Sequence, residues 1–222
     1  NEKFIALLKK FKNLLPNTAL HILSNGRKFA EPNFCVDYAS IKHPDMMVGI
    51  PLYSSSPSIH DYIVQAQGAF DETIRGILNL KKLNQKVEIR IVIHKQSIDG
   101  LIELCNFISR NLLFVDHVAL MGLEMTGFTR ANIDKLWIDP YDYKDTLSTA
   151  IDILNKSGMN ASIYNHPLCL INSIDENNYR KSISDWKNEF ATECLSCTRR
   201  NDCGGFFSSG IMHGYSTKLR PF

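Results

Sequence analysis

Five short apolar runs, separated by stretches of helical period, restrict the fold of this chain more than any other feature. The runs are TALHILS, MMVGIPLY, VEIRIVI, HVALMGLE and ASIY. Between them lie DETIRGILNLKKL, in which Ile74, Ile77, Leu78 and Leu80 recur at helical spacing behind Asp71 as the expected N-cap, then IDGLIELCNFISRNLL, then TLSTAIDILNKSG with Gly158 as its stop signal. An amphipathic helix over Glu2 to Leu15 precedes the first run and ends at Pro16 and Asn17, and Pro51 is expected to close the second strand. Strands alternating with helices in this way imply right-handed βαβ units and a parallel sheet. Period alone leaves a barrel and an open doubly wound sheet both open.

The strand ends are polar. Ser24-Asn25-Gly26-Arg27 follows the first run, Tyr53-Ser54-Ser55-Ser56 the second, His94-Lys95-Gln96 the third, Glu124-Met125-Thr126 the fourth and Asn165-His166 the last. In barrels and open α/β sheets alike, the face at the C-terminal ends of the strands hosts the active site. Arg90 lies inside a strand, where a buried guanidinium needs an anionic or hydrogen-bonded partner.

Composition narrows the function. The 222 residues carry a net charge of +2 with no long run of either sign, which argues against a nucleic-acid surface and against a polybasic membrane patch. The longest mostly apolar stretch, Phe114 to Leu123, is broken by Asp116 and His117 and is too short to span a bilayer. Lysines 9, 10 and 12 interrupt the N-terminal apolar face, so that segment reads as an amphipathic helix and not as a secretion signal. A cytoplasmic protein is expected.

After Tyr164 the alternation stops and different chemistry begins. The expected division is residues 1–165 as the α/β part and 166–222 as a cysteine-rich tail. Cys194-Leu195-Ser196-Cys197 and Cys203-Gly204-Gly205 give C-x2-C-x5-C-G-G, in which two thiolates three residues apart can chelate one centre and the glycines free the backbone to wrap it. Cys169, directly after the last strand, is the natural fourth ligand, with His166 and His213 as weaker alternatives. Cys35 and Cys105 read as structural. Spacing does not separate zinc from iron–sulfur; a disulfide framework suits it less well.

The segments LSNGRKF, GIPLYSSSPSIHDYIV, HVALMGLEMTGFTRAN, LWIDPYDY, IYNHPLCL, SISDWKNEF and ECLSCTRRNDCGGFFSSG, taken as a set, resemble the C-type radical S-adenosylmethionine (SAM) maturase of His-Xaa-Ser peptide systems. HDYIVQAQGAFDETIRGILNL resembles a region of radical SAM enzymes where a G-x-F-D turn leads into a helix. The resemblance reaches from the start of the chain to about Gly210.

It implies a partial (β/α) barrel, from the third barrel strand onward, that uses a 5′-deoxyadenosyl radical from S-adenosylmethionine to modify a ribosomally made precursor peptide with His-Xaa-Ser repeats, beside a partner maturase. It also implies cofactor contacts at Ser24, Asn25, Ser54, Arg90 and His94, a base or substrate-orienting role for Glu124, and an auxiliary [4Fe-4S] cluster on Cys169, Cys194, Cys197 and Cys203. The family's C-x3-C-x2-C cluster loop and Gly-Gly-Glu turn do not occur in these residues, so the resemblance implies a chain beginning after the second barrel strand and inactive alone. The other reading is a cluster-less barrel that binds a peptide or partner, with a structural zinc on the same four thiolates.

Overall fold

A computed structural model describes residues 2–181 and 188–222. Residues 182–187, most of the SISDWKNEF segment, lie outside the described residues. The five apolar runs form one sheet, β1 (Leu20–Leu23), β2 (Met46–Pro51), β3 (Lys86–Ile93), β4 (His117–Gly122) and β5 (Ala161–Tyr164), in the spatial order β1-β2-β3-β4-β5. β1 pairs in parallel with β2, β2 with β3, and β4 with β5, the in-order winding that repeated βαβ units produce. Chain contacts divide the protein into two compact units, one of residues up to Arg90 with Phe114–His117, the other of Ile91–Leu113 with Val118 onward.

In the first unit, α1 (Glu2–Leu14) leads into β1, and α2 (Pro32–Ala39), α3 (Pro57–Val64) and α4 (Ala69–Lys82) follow in turn. α2 and α3 each start on proline, whose fixed φ and missing N–H suit the first helical position. In β3, Val87 and Ile89 are fully buried, and Ile91 and Ile93, which enter the second unit, repeat the pattern. Each such side chain contributes roughly 1.5–3 kcal/mol of burial. The alternate positions carry Glu88 and Arg90, so the two faces of β3 differ sharply in chemistry.

α4 differs from expectation at its start. Its N-cap is Gly68, in the left-handed region at φ 75°, and Asp71 lies inside the first turn. The capping acceptor comes from α3: the Asp61 carboxylate takes the N–H bonds of Gly68 (2.5 Å) and Phe70 (2.8 Å). These bonds, with that of Ala69, hold the Asp61 carboxyl below its ordinary value.

The body of α4 clamps the loop after β1. Thr73 Oγ1 donates to Asn25 O, Asn79 Nδ2 donates to Phe29 O and Ala30 O, and Arg27 pairs with Glu72 at 2.5 Å. Gly76 permits the contact, because a Cβ there would stand 2.3 Å from Gly26 O.

In the second unit, α5 (Leu101–Asn111) packs on α8 (Pro140–Lys156), while α6 (Phe128–Ala131) and α7 (Ile133–Leu136) are single turns after β4. α8 begins well before the expected TLSTAIDIL core. Asp139 accepts the Tyr141 N–H at 2.9 Å and Pro140 takes the first helical position; Gly158 (φ 72°) follows its end as expected. Beyond β5 the chain runs in 3-10 turns, joins Glu189 to Phe206 in an antiparallel bridge, and forms α9 (Ser208–His213). Among the described residues, no helix is long and apolar enough to cross a membrane.

Candidate functional site

In the first unit the polar groups after β1 and β2 build their own turns. Ser24 Oγ accepts the Gly26 N–H (3.2 Å), Asn25 Oδ1 accepts that of Arg27 (3.2 Å), and Ser54 Oγ accepts that of Ser56 (3.0 Å). Each is a local side-chain turn that shapes a loop at a strand's C-terminal end. The hydroxyl protons of Ser24 and Ser54 have no acceptor among the described residues, so both stay available to a ligand. His60, buried under this loop, accepts the Tyr53 N–H through Nδ1, and burial lowers its pKa.

The polar face of β3 carries a network that the sequence reading missed. Glu88 is 6% exposed, and its carboxylate faces His117 Nδ1 at 2.7 Å, His21 Nε2 at 3.3 Å and Arg90 Nε at 3.5 Å. Burial acts to raise the Glu88 carboxyl, but the hydrogen bonds and charges of His117 and His21 outweigh it and lower it to about 2. His21 reaches across β2 because the intervening position is Gly49. A Cβ there would stand 2.8 Å from His21 Nε2 and 3.0 Å from Arg90 Cδ. The sequence marks only the strand, as VEIRIVI sets two ionisable residues on alternate positions of an apolar run, and not the histidines that meet them. Arg90 thus has the internal anionic partner that a buried guanidinium requires.

The remaining strand-end candidates belong to the second unit. His94 is buried; its Nδ1 accepts the Gln96 N–H (3.2 Å), and its own N–H donates to Ser97 Oγ (3.0 Å), so it shapes the loop after β3. Burial lowers its pKa to about 4. Glu124 lies two residues past β4, half-buried, with no hydrogen bond or ion pair among the described residues. His166 is engaged at both ring nitrogens. Nδ1 donates to Tyr164 O (2.7 Å) and Nε2 accepts the Tyr143 hydroxyl (2.8 Å), which leaves no lone pair for a metal and removes it as an alternative ligand. His213 ends α9 and does not line the cysteine pocket.

Cys169, Cys194, Cys197 and Cys203 line one pocket of about 370 Å³, with Phe190, Phe206, Leu219 and Phe222 among its apolar walls. Cys203 Sγ accepts two backbone N–H bonds, from Leu168 (3.2 Å) and Gly205 (3.3 Å), which fix the position of the sulfur. Burial raises the pKa of Cys169 against a backbone hydrogen bond from Arg220, and the neighbouring Cys203 and Cys194 raise it further. Cys194 is likewise raised by burial against a backbone hydrogen bond at Ala191, with the neighbouring Cys203 and Cys197 raising it further. Among the described residues no three His, Cys, Asp or Glu side chains stand at the spacing of a completed metal site. The donor set is all-thiol and soft, which fits zinc or iron–sulfur in kind; a bound cation is what draws mutually repelling thiolates together. Cys35 and Cys105 are fully buried elsewhere.

The fold is α/β, with a five-stranded parallel sheet consistent with a partial (β/α) barrel. It is similar to SuiB of Streptococcus suis, with a TM-score of 0.55 at 18% identity over 78% of this chain and 41% of SuiB. A SuiB structure bound to S-adenosylmethionine gives a TM-score of 0.54 at 16% identity, over 78% of this chain and 39% of that one. The structure of anSMEcpe with bound AdoMet and Kp18Cys peptide gives 0.54 at 15% identity, over 73% of this chain and 46% of that one. The chain therefore spans under half the length of these proteins. No family model matches the sequence, and no curated protein does.

Proposed function

We propose that this chain is the later portion of a radical SAM enzyme that modifies a ribosomally made peptide in the cytoplasm, with residues 166–222 as the extension that holds an auxiliary [4Fe-4S] cluster. The observation that carries the reading is the set of four thiols lining one pocket, in a fold similar to proteins solved with S-adenosylmethionine or AdoMet and, for anSMEcpe, with a peptide. When bound, the cofactor supplies hydrogen-atom abstraction from the peptide. Ser24, Asn25 and Ser54 offer hydroxyl and amide groups for its ribose and amino-acid moiety, and Arg90, which the resemblance sets against its carboxylate, is paired with Glu88 in this structure. His94 frames the loop after β3, Glu124 is the carboxylate nearest the end of β4, and Cys169, Cys194, Cys197 and Cys203 are the cluster ligands. The resemblance to the His-Xaa-Ser systems names the substrate as a His-Xaa-Ser repeat peptide and adds a second maturase as partner.

The test is anaerobic reconstitution, with iron and sulfide, of the protein carrying this chain in its complete reading frame. S-adenosylmethionine and precursor peptide are then added, and 5′-deoxyadenosine and peptide mass are read together. Coupled formation of both is expected. A colourless, zinc-only protein would overturn the auxiliary cluster, and an unchanged peptide would overturn the substrate.

A second reading turns on whether a C-x3-C-x2-C loop is encoded ahead of these residues in the full reading frame, and only its absence there would favour it. It is a peptide- or partner-binding module whose four thiolates close around a structural zinc. Peptide capture by the zinc protein without cofactor cleavage would favour it.

A further inference from the structure

A second pocket, open to solvent, lies in the second unit beside the cysteine pocket, and the two share Pro167, Gly205 and Phe206. It forms where the chain leaves β4 and β5 and the segment 205–216 returns over them. Its walls include the rings of Trp137, Phe206, Phe207 and Tyr215, and no charged side chain lines it. The Phe206 and Tyr215 rings meet at 5.0 Å and 46°, which fixes one wall.

Ser209, 6% exposed, also lines this pocket, and its Oγ is buried with no hydrogen-bond partner among the described residues. A hydroxyl left in that state costs the fold about 1–3 kcal/mol. Alanine would remove the cost without leaving a void, so the hydroxyl is explained by a partner that arrives from outside. Ser216, more buried still at 2% exposed, accepts the Lys218 N–H at 3.0 Å and keeps its own proton.

We propose that this pocket receives an uncharged aromatic side chain of a peptide, with Ser209 Oγ hydrogen-bonded to the polar atom of the ring. Aromatic walls without charge select a flat neutral ring, and a buried hydroxyl left unpaired at Ser209 selects one that carries a donor or acceptor. Glycines 205, 210 and 214 line the pocket and let a peptide backbone approach closely. The shared wall sets the ring beside the thiols. The assignment deepens the peptide-modifying reading and depends on it only for the source of the ring.

The test is equilibrium binding to the full chain, without cofactor, of N-acetyl-L-tyrosinamide, N-acetyl-L-phenylalaninamide, free L-tyrosine and adenosine, followed by amide shifts of Phe207 and Ser209. Saturable binding of the tyrosinamide is expected, about fivefold tighter than that of the phenylalaninamide, the scale of one net hydrogen bond. Ser209→Ala should abolish that preference while melting at the same temperature or higher. Free tyrosine, a zwitterion, should bind more weakly than the blocked amide; tighter binding would make the ligand a free amino acid. Equal binding of the two amides to the unaltered protein, a preference retained in Ser209→Ala, or stronger binding of adenosine would each overturn the proposal. Because the readout needs neither turnover nor cluster, selective binding survives failure of the radical SAM reading. Coupled turnover with no aromatic selectivity would sink this inference alone.

Discussion

Glu88 Oε2 and His117 Nδ1 meet at 2.7 Å, joining the interior of β3 to the first residue of β4 through a bond with both side chains largely out of water. His21 completes the arrangement from β1 across the gap at Gly49. One carboxylate thus ties together residues far apart in sequence.

Stability should therefore carry an acid limb set by Glu88. Its folded pKa, about 2, lies below the unfolded carboxyl value of about 4.3, so the stabilisation is present above the unfolded value and lost as pH falls toward 2. Glu88→Gln keeps the shape but not the charge. It should lower stability at pH 7 by on the order of 2–3 kcal/mol and flatten the slope below about pH 4. Urea unfolding of both proteins at pH 7 and pH 3 measures this; equal slopes would rule out the assignment.

The loop bearing Ser24 and Asn25 is placed by helix packing. At Gly76 an added methyl would meet a backbone oxygen, which has no rotamer to turn away. Gly76→Ala should cost about 1–3 kcal/mol, the range of an overpacked contact, and speed hydrogen exchange at the Phe29 N–H, which bonds to Gly26 O. Unchanged exchange there would show that the clamp does not depend on this approach.

β2 to β5 were legible because Val48, Ile50, Val87, Ile89 and their neighbours form short, largely buried apolar runs, whereas the edge strand β1 is half exposed and was marked by the turn signal at Gly26. α2 and α3 escaped the periodicity reading because each has only eight residues, although Pro32 and Pro57 signal their starts. The four cysteines were legible as a group from spacing and from the position of Cys169 after the last strand. The Glu88 network was not, since its members lie on three strands and only sheet register brings them together. The aromatic pocket had no sequence signal at all: its lining runs from Leu123 to Ser216 through loops without a period.

Thiol reactivity separates the two classes of cysteine. Burial pushes Cys35 up to about 11 and Cys105 to about 12, so neither forms much thiolate at pH 8. In the metal-free folded protein an aromatic disulfide reagent should modify Cys169, Cys194 and Cys197 readily and Cys203 more slowly, since that side chain is buried. Cys35 and Cys105 should react only after urea is added. Loading with zinc or a cluster should protect all four tail thiols, and chelation should restore their reactivity and lower the melting temperature. Unchanged labelling after loading would remove these residues as a ligand set.

A second pH dependence should appear above the acid limb of Glu88. Burial holds His94 and His166 at about 4, the hydrogen bond of His166 to Tyr164 O working only partly against it, whereas an unfolded histidine titrates near 6.5. Between those values the unfolded chain binds more protons than the folded one, so stability rises with pH from about 4 to about 6.5 and is lost on acidification through that window. Each residue should contribute on the order of 2–3 kcal/mol. Tyr143→Phe takes the hydroxyl from His166 Nε2 and leaves that nitrogen orphaned, at a cost of about 1–3 kcal/mol at pH 7. Urea unfolding at pH 7, 5.5 and 4.5, with imidazole resonances followed by NMR, reads both effects. Histidine resonances titrating near 6.5 in the folded protein, with flat stability across the window, would show that these rings are not held neutral by burial.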